Sequence, residues 1–289
     1  MPGFARIADL VDAELAGQAT YSAWRKSPTQ VTTQGIWFDL SMSPGSPVPN
    51  YYAAAPLIAT LLSRSTDGGL NHGGNVSSSY KVLRRLSALA TVATALPMPM
   101  ILLDYLLFYT FVDEGVTDVQ TMTNTNTLTR YTDGVGVKIM AVVVGAHSQA
   151  AGVTFTVSYT NSAGVSGRTT PTCTLTTAQS VNGTIATSER ANAAAVGPFL
   201  PLQAGDVGVR SIQSITFTTP DVGLLALVLV KPLAQLSIRG IDAPVELDYF
   251  RDFPVLPQIV DDAFLNFICL PAGSLAATAI HGEIACAWG

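Results

Sequence analysis

The chain has 289 residues, a net charge of −5 and a pI near 5.1, with 48% of its residues hydrophobic but only 12% charged, about half the usual charged share for a soluble domain. Its 15 Lys and Arg residues are thinly spread, so no basic stripe is available to neutralise phosphates, and direct binding to nucleic acid is not expected. Cys173, Cys269 and Cys286 have no CxxC spacing and encode neither a disulfide framework nor a zinc knuckle; buried free thiols are expected.

Residues 4–16 place Phe4, Ile7, Ala8, Leu10, Val11 and Leu15 near a 3.6-residue period, with Gly17 able to end the turn, which predicts a short amphipathic helix. Asp9, Asp12 and Glu14 interrupt any apolar core there, so no secretory signal is expected. Residues 35–56 then change character. Pro44, Pro47, Pro49 and Pro56 alternate with Trp37, Phe38, Tyr51 and Tyr52, which predicts an extended segment ordered by what its aromatic rings pack against, either a neighbouring subunit or its own core.

One or two helical turns are predicted at 57–63, a glycine-rich turn at 67–75, and a helix at 78–95 that would set Lys81, Arg84 and Arg85 on one face. Such a face is either solvated or a seat for a partner's carboxylates. Residues 86–103 contain no charge and are long enough to span a bilayer. Pro97, Pro99 and the Asp104 that follows argue instead for a segment buried in a core or a subunit interface, with no membrane span. Asp104 inside this apolar run needs a partner, from Arg84, Arg85 or backbone donors.

From residue 135 the period becomes two. Val153, Phe155, Val157 and Tyr159 alternate with Thr154, Thr156, Ser158 and Thr160, a half-buried strand, and a turn at 161–164 leads to a Thr-rich return strand at 169–177. Further strands are predicted at 137–144, 212–218, 224–229, 265–270 and 280–288, with turns at Asn182-Gly183, Gly205-Asp206 and Pro220-Asp221. Short strands without intervening helices predict a mainly-β fold, an antiparallel β-sandwich or jelly-roll-like domain with an N-terminal helical and extended region. The expected divisions are an N-terminal assembly region at 1–134, a sandwich at 135–235 and C-terminal strands at 236–289 that complete it.

Chemistry-bearing motifs are sparse. His72, His147 and His281 are isolated, without HxH or HExxH spacing, so no metal is expected. No GxSxG elbow occurs, Ser274 lies in a small-residue turn, and residues 68–74 lack the GK[ST] of a phosphate loop, so neither a catalytic residue nor a cofactor is predicted. Asp113-Glu114 and Asp261-Asp262 are acidic pairs that suit solvated loops, a loose cation site or, on a glycan-active scaffold, acid–base work. The charge-poor stretch 139–188, whose only formal charge is Arg168, is the kind of surface that contacts with other subunits cover.

Four segments, GIWFDLSMSPG (35–45), ATALPMPMILLDYLLFYTFVDEG (93–115), VSYTNSAGVSGRT (157–169) and LPAGSLAATAIHGEI (270–284), together resemble virion structural proteins of tailed bacteriophages. The resemblance implies a non-enzymatic β-rich component present in many copies on the particle, of the capsid decoration or minor head type. Its expected partners are itself, as a homotrimer, and the major capsid protein, and its expected place is the virion. Within the same class a major shell, tail, neck or fibre role is the alternative, and from another class a glycan-binding or glycan-cleaving sandwich. The residues expected at an intersubunit contact are Trp37, Phe38, Tyr51, Tyr52, Met98, Met100, Tyr105 and Phe108.

Overall fold

The computed structural model describes residues 4–145, 152–176, 181–189, 193–252 and 255–289. In chain order, helix α1 (Ile7–Leu15) precedes β1 (Ala19–Lys26), β2 (Phe38–Asp39), β3 (Gly45–Ser46) and β4 (Thr60–Leu61). The one-turn helix α2 (Arg64–Asp67) leads to β5 (Lys81–Ala90), β6 (Met98–Asp113), β7 (Gln120–Thr121), β8 (Lys138–Gly145), β9 (Thr154–Asn161), β10 (Arg168–Thr169) and β11 (Cys173–Thr174). Last come β12 (Val209–Phe217), β13 (Leu224–Ile238), β14 (Val245–Asp248), the turn α3 (Tyr249–Asp252), β15 (Phe264–Cys269) and β16 (Ile280–Trp288).

Among the described residues the strands make three antiparallel sheets, a mainly-β architecture consistent with the expected sandwich. A central sheet in the order β2-β15-β6-β13-β8 is flanked by a sheet β14-β5-β16-β1-β3 and by a sheet β10-β9-β12-β7. Strands β6 and β13, 16 and 15 residues long, serve two cores on one face. Met98, Met100 and Leu102 with Ala234, Leu236 and Ile238 pack against Trp24, Leu86 and Ile284 of the first flanking sheet. Beyond them, Tyr109 and Val112 with Leu225, Leu227 and Leu229 pack against Phe155, Val157 and Ile215 of the second. The opposite face of the same strands meets Met42, Tyr52 and Leu62 from the extended N-terminal segment. Burial on both faces is why β6 reads as a continuous apolar run rather than an alternating one.

The helical expectation at 78–95 is also corrected. Residues 81–90 are a strand, and from Arg85 onwards Leu86, Ala88 and Ala90 are buried while Arg85, Ser87 and Leu89 are half-buried. This is a period of two carried by Leu and Ala, residues of high helix propensity held in a strand by tertiary pairing. Lys81, Arg84 and Arg85 therefore share no helical face. Arg84 pairs with Glu14 (3.2 Å) and Asp248, and Arg85 with Glu283 (3.1 Å) and Glu246 (3.6 Å), all within the chain. The predicted turns at 57–63 give way to β4, paired with β6, before α2 begins. Of the return strand at 169–177, the two-residue pieces β10 and β11 form, and residue 177 lies outside the described residues. Strand β13 runs unbroken through residue 235, and β6 joins the same sheet from the N-terminal half, so the chain's two halves are laced together. Among the described residues no helix is long and apolar enough to cross a membrane.

The glycine-rich turn is held down by a buried cation. Lys81 Nζ donates to the Gly74 carbonyl (2.5 Å) and to His72 Nδ1 (3.2 Å), while His72 Nε2 bonds the Ala263 carbonyl (2.9 Å). A carbonyl can only accept, so His72 carries its proton on Nε2 and offers Nδ1 as acceptor. Burial, helped by the adjacent ammonium, holds the imidazole down to about 4. The unfolded chain therefore takes up a proton near pH 6.5 that the folded one refuses, and stability is lost as pH falls from about 6.5 toward 4. A 1.5-unit step from pH 6.5 to 5 should cost wild type about 2 kcal/mol more than it costs His72→Gln. Urea midpoints at the two pH values measure this; equal slopes for both proteins would contradict it.

Candidate functional site

The extended N-terminal segment covers only part of the back of the central sheet. It is fixed by Asp39, which is fully buried and accepts hydrogen bonds from Tyr105 Oη (2.7 Å), from the Ser41 amide (2.8 Å) and from Tyr52 Oη. Burial pushes this carboxyl up, against three hydrogen bonds that favour its charge. Lys26, also buried, donates to the carbonyls of Ser43 (3.1 Å) and Pro47 (2.9 Å) and is pushed down to about 8 by burial. These contacts draw the aromatic residues inward. Of the residues expected at an intersubunit contact, Phe38, Tyr52, Met98, Met100, Tyr105 and Phe108 are buried in the chain's own cores. Tyr51 is 58% exposed and Trp37 is half-buried.

Beyond the reach of the segment the sheet face is open. Two adjoining hollows of about 500 and 390 Å³ share Ile101 and Gln235 as their floor, and together form an apolar trough along the second half of β13. Phe199 and Tyr249 line one end, and Trp37 the other. The position of Trp37 is set by its main chain. Its amide donates to Ser188 Oγ (2.9 Å) and its carbonyl accepts from the Ile185 amide (2.9 Å), so the backbone is tied to residues 185–188 and the indole is left beside the trough. Sequence reasoning found Trp37 from its aromatic and proline setting. It missed Phe199, Leu233, Gln235 and Tyr249, because a trough made by the end of one strand and two distant loops leaves no local pattern.

The acidic pairs do other work. Asp262 accepts from the Ser65 amide (2.8 Å) and hydroxyl (2.9 Å), and Asp261 accepts from the Val76 amide (2.9 Å). Both border a hollow of about 410 Å³ with Ser63, Thr66, Thr129 and Arg130, whose lining contains no aromatic ring. Asp113 caps the amide of Gly115 (2.8 Å), and Glu114 is buried beside Asp113 and Asp221. Among the described residues no group of three or more His, Cys, Asp or Glu side chains is placed to hold a metal ion. His72 bonds Lys81 and Ala263, His281 lies on β16, and His147 falls outside the described residues. Cys173, Cys269 and Cys286 are buried free thiols.

No family model matches the chain, and no curated protein matches it. Among solved structures, the crystal structure of the infectious bursal disease virus VP2 subviral particle aligns with 93% of this chain and 80% of that one. The identity is 9% and the TM-score 0.19, too low for the likeness to carry any argument about fold or role.

Proposed function

We propose that the chain is a virion structural protein of a tailed bacteriophage, a capsid decoration or cement protein that self-associates as a trimer and bridges subunits of the major capsid protein. The observation that carries this reading is the trough itself, an apolar sheet face left open in a chain with 12% charged residues. Open apolar surface of that kind is stabilised by contact with another chain. A protein bound across capsomers adds its binding free energy to what must be lost before the shell opens, and a threefold binder suits a threefold site. The longest helix among the described residues has nine residues, which sets the chain apart from shell proteins built on a long spine helix and favours decoration over the major-shell alternative.

The test is the mass of the purified chain by light scattering, alone and after mixing with capsid shells that lack it. A stable oligomer that co-sediments with shells is the expected result, and a monomer indifferent to shells would remove the proposal. Replacing Trp37 and Tyr51 together with Ala should weaken shell binding or self-association at least about tenfold, on the scale of aromatic anchors at interfaces. Trp37 is half-buried and packs against the core behind β6, so its loss should also lower the melting temperature, whereas Tyr51→Ala alone, at a ring 58% exposed, should leave it near that of the parent. Unchanged assembly of the double variant would count against the trough as the contact.

A further inference from the structure

The trough runs along a strand edge that no other strand occupies. Strand β8 pairs with β13 from Leu224 to Val230, where Lys138 is the last partner, and among the described residues no strand pairs with 231–238 on that side. The direction of the main chain there follows from the register. The Leu270 amide donates to the Pro99 carbonyl (2.8 Å), so alternate residues of β6 from Pro99 on turn their peptide groups toward β15. Those of Met98, Met100 and Leu102 therefore turn toward β13, where their partners Ile238, Leu236 and Ala234 bond back. The peptide groups of Gln235 and Ser237 consequently face outward in the plane of the sheet, along the open edge beside the trough. Pro232, which has no N–H, ends this edge on the β8 side.

Two cations bracket the edge. Lys231 stands at one end, bonded to the Val135 carbonyl (2.8 Å), and the exposed Arg239 follows the other, neither in an ion pair among the described residues. Of the acids around this end of the sheet, Asp133 acts on Lys231 but accepts from the Val135 amide (3.0 Å), Asp242 is exposed three residues past Arg239, and Glu246 and Asp248 are paired with Arg85 and Arg84. This charge pattern selects the occupant. A second copy adding its own edge about a twofold axis through Gln235 would set Lys231 opposite Arg239, like charge against like. A strand with acidic ends would set opposite charges there.

We propose that the open edge of β13 accepts an extended segment of a different chain, apolar at alternate positions and acidic at both ends, as an added strand. Outward peptide groups of Gln235 and Ser237 would supply the main-chain hydrogen bonds, and the trough would take the apolar side chains. The inference rests on the assembly reading, because it assigns the donor of that strand to the capsid-side partner.

The probe is a blocked, fluorescein-labelled nonapeptide, Asp-Thr-Val-Thr-Val-Thr-Val-Thr-Asp, with a twin carrying Lys at both ends, titrated by anisotropy against the full chain at low salt. The acidic peptide should bind at least about tenfold tighter than its twin, a difference of about 1.4 kcal/mol. Gln235→Pro deletes one outward N–H and leaves the β6 ladder intact, so it should abolish binding. Should that variant fail to fold, Arg239→Glu, at an exposed position, should erase or reverse the preference. Absence of saturable binding through the millimolar range, equal binding of the two peptides, or binding indifferent to both variants would overturn the proposal. Peptides that fail while Trp37→Ala/Tyr51→Ala still loses shell binding would remove the strand-accepting edge and leave the assembly reading standing. Peptide binding by a chain that ignores shells would do the reverse.

Discussion

Replacing Arg130 with Met is expected to cost the fold about 3–5 kcal/mol, the scale on which breaking a buried ion pair leaves one charge without compensation. Asp104 is fully buried on the face of β6 between the two cores, after Met98, Met100 and Leu102 have served one and before Tyr109 and Val112 serve the other. Arg130 meets it with Nε (3.0 Å) and Nη2 (2.8 Å), and Nη2 also donates to the carbonyls of Leu62 (3.0 Å) and Tyr105 (2.9 Å). The Phe264 amide adds a further bond to the carboxylate (3.1 Å). Burial pushes the Asp104 carboxyl up and the guanidinium pulls it back. With Arg130→Met the carboxylate keeps its desolvation and loses its cation. The double variant Asp104→Asn/Arg130→Met should recover part of the loss, because an amide carries no charge and still accepts from Phe264. Urea unfolding of the parent and both variants measures this; a single variant within about 1 kcal/mol of the parent would show that the pair contributes nothing.

The second large effect concerns pH. Both carboxyl oxygens of Glu114 are buried without a hydrogen-bond partner. Burial, with the facing carboxylates of Asp221 and Asp113, raises this group to about 8. A carboxyl raised in the folded state is held neutral there while the unfolded chain ionises near 4.5. Its contribution is therefore fully present below pH 4.5 and lost as pH rises to about 8. Over about 3.5 units at about 1.36 kcal/mol each, the loss is at most about 5 kcal/mol. Glu114→Gln has no proton to lose, so its stability should stay level through that window and exceed wild type at pH 8.5. Thermal melts between pH 5 and 9 decide the matter, and parallel curves for the two proteins would contradict it.

These two sites show where the sequence was readable. The demand of Asp104 for a partner follows from its apolar surroundings, and a backbone donor, the Phe264 amide, meets part of it, but the cation is Arg130 rather than Arg84 or Arg85, which pair with Glu14, Asp248, Glu246 and Glu283. Strands with one solvated face, such as β9 with its alternating burial, were legible from period alone, and β16 was read to the residue. Strands buried on both faces, or rich in Leu and Ala, were not, since helix and strand then share a composition. For the candidate site, the proline and aromatic segment located Trp37, while Tyr51 is exposed but does not line the trough. The inward turn of Phe38, Tyr52, Tyr105 and Phe108 depends on Asp39 and on the back of β6, and neither relation is local.

Strand order also governs when this fold can form. Strand β16 lies between β5 and β1, and β15 between β2 and β6, so the middle of two sheets is filled by residues 264–288. Until that stretch leaves the ribosome, β1, β5 and β6 have finished edges with nothing to pair with, and closure joins segments more than 250 residues apart, as Ala19 with Ala287. Such topology folds slowly and exposes sticky intermediates. Synthesis halted before residue 264 should therefore yield chaperone-bound or insoluble chains rather than a smaller version of the protein.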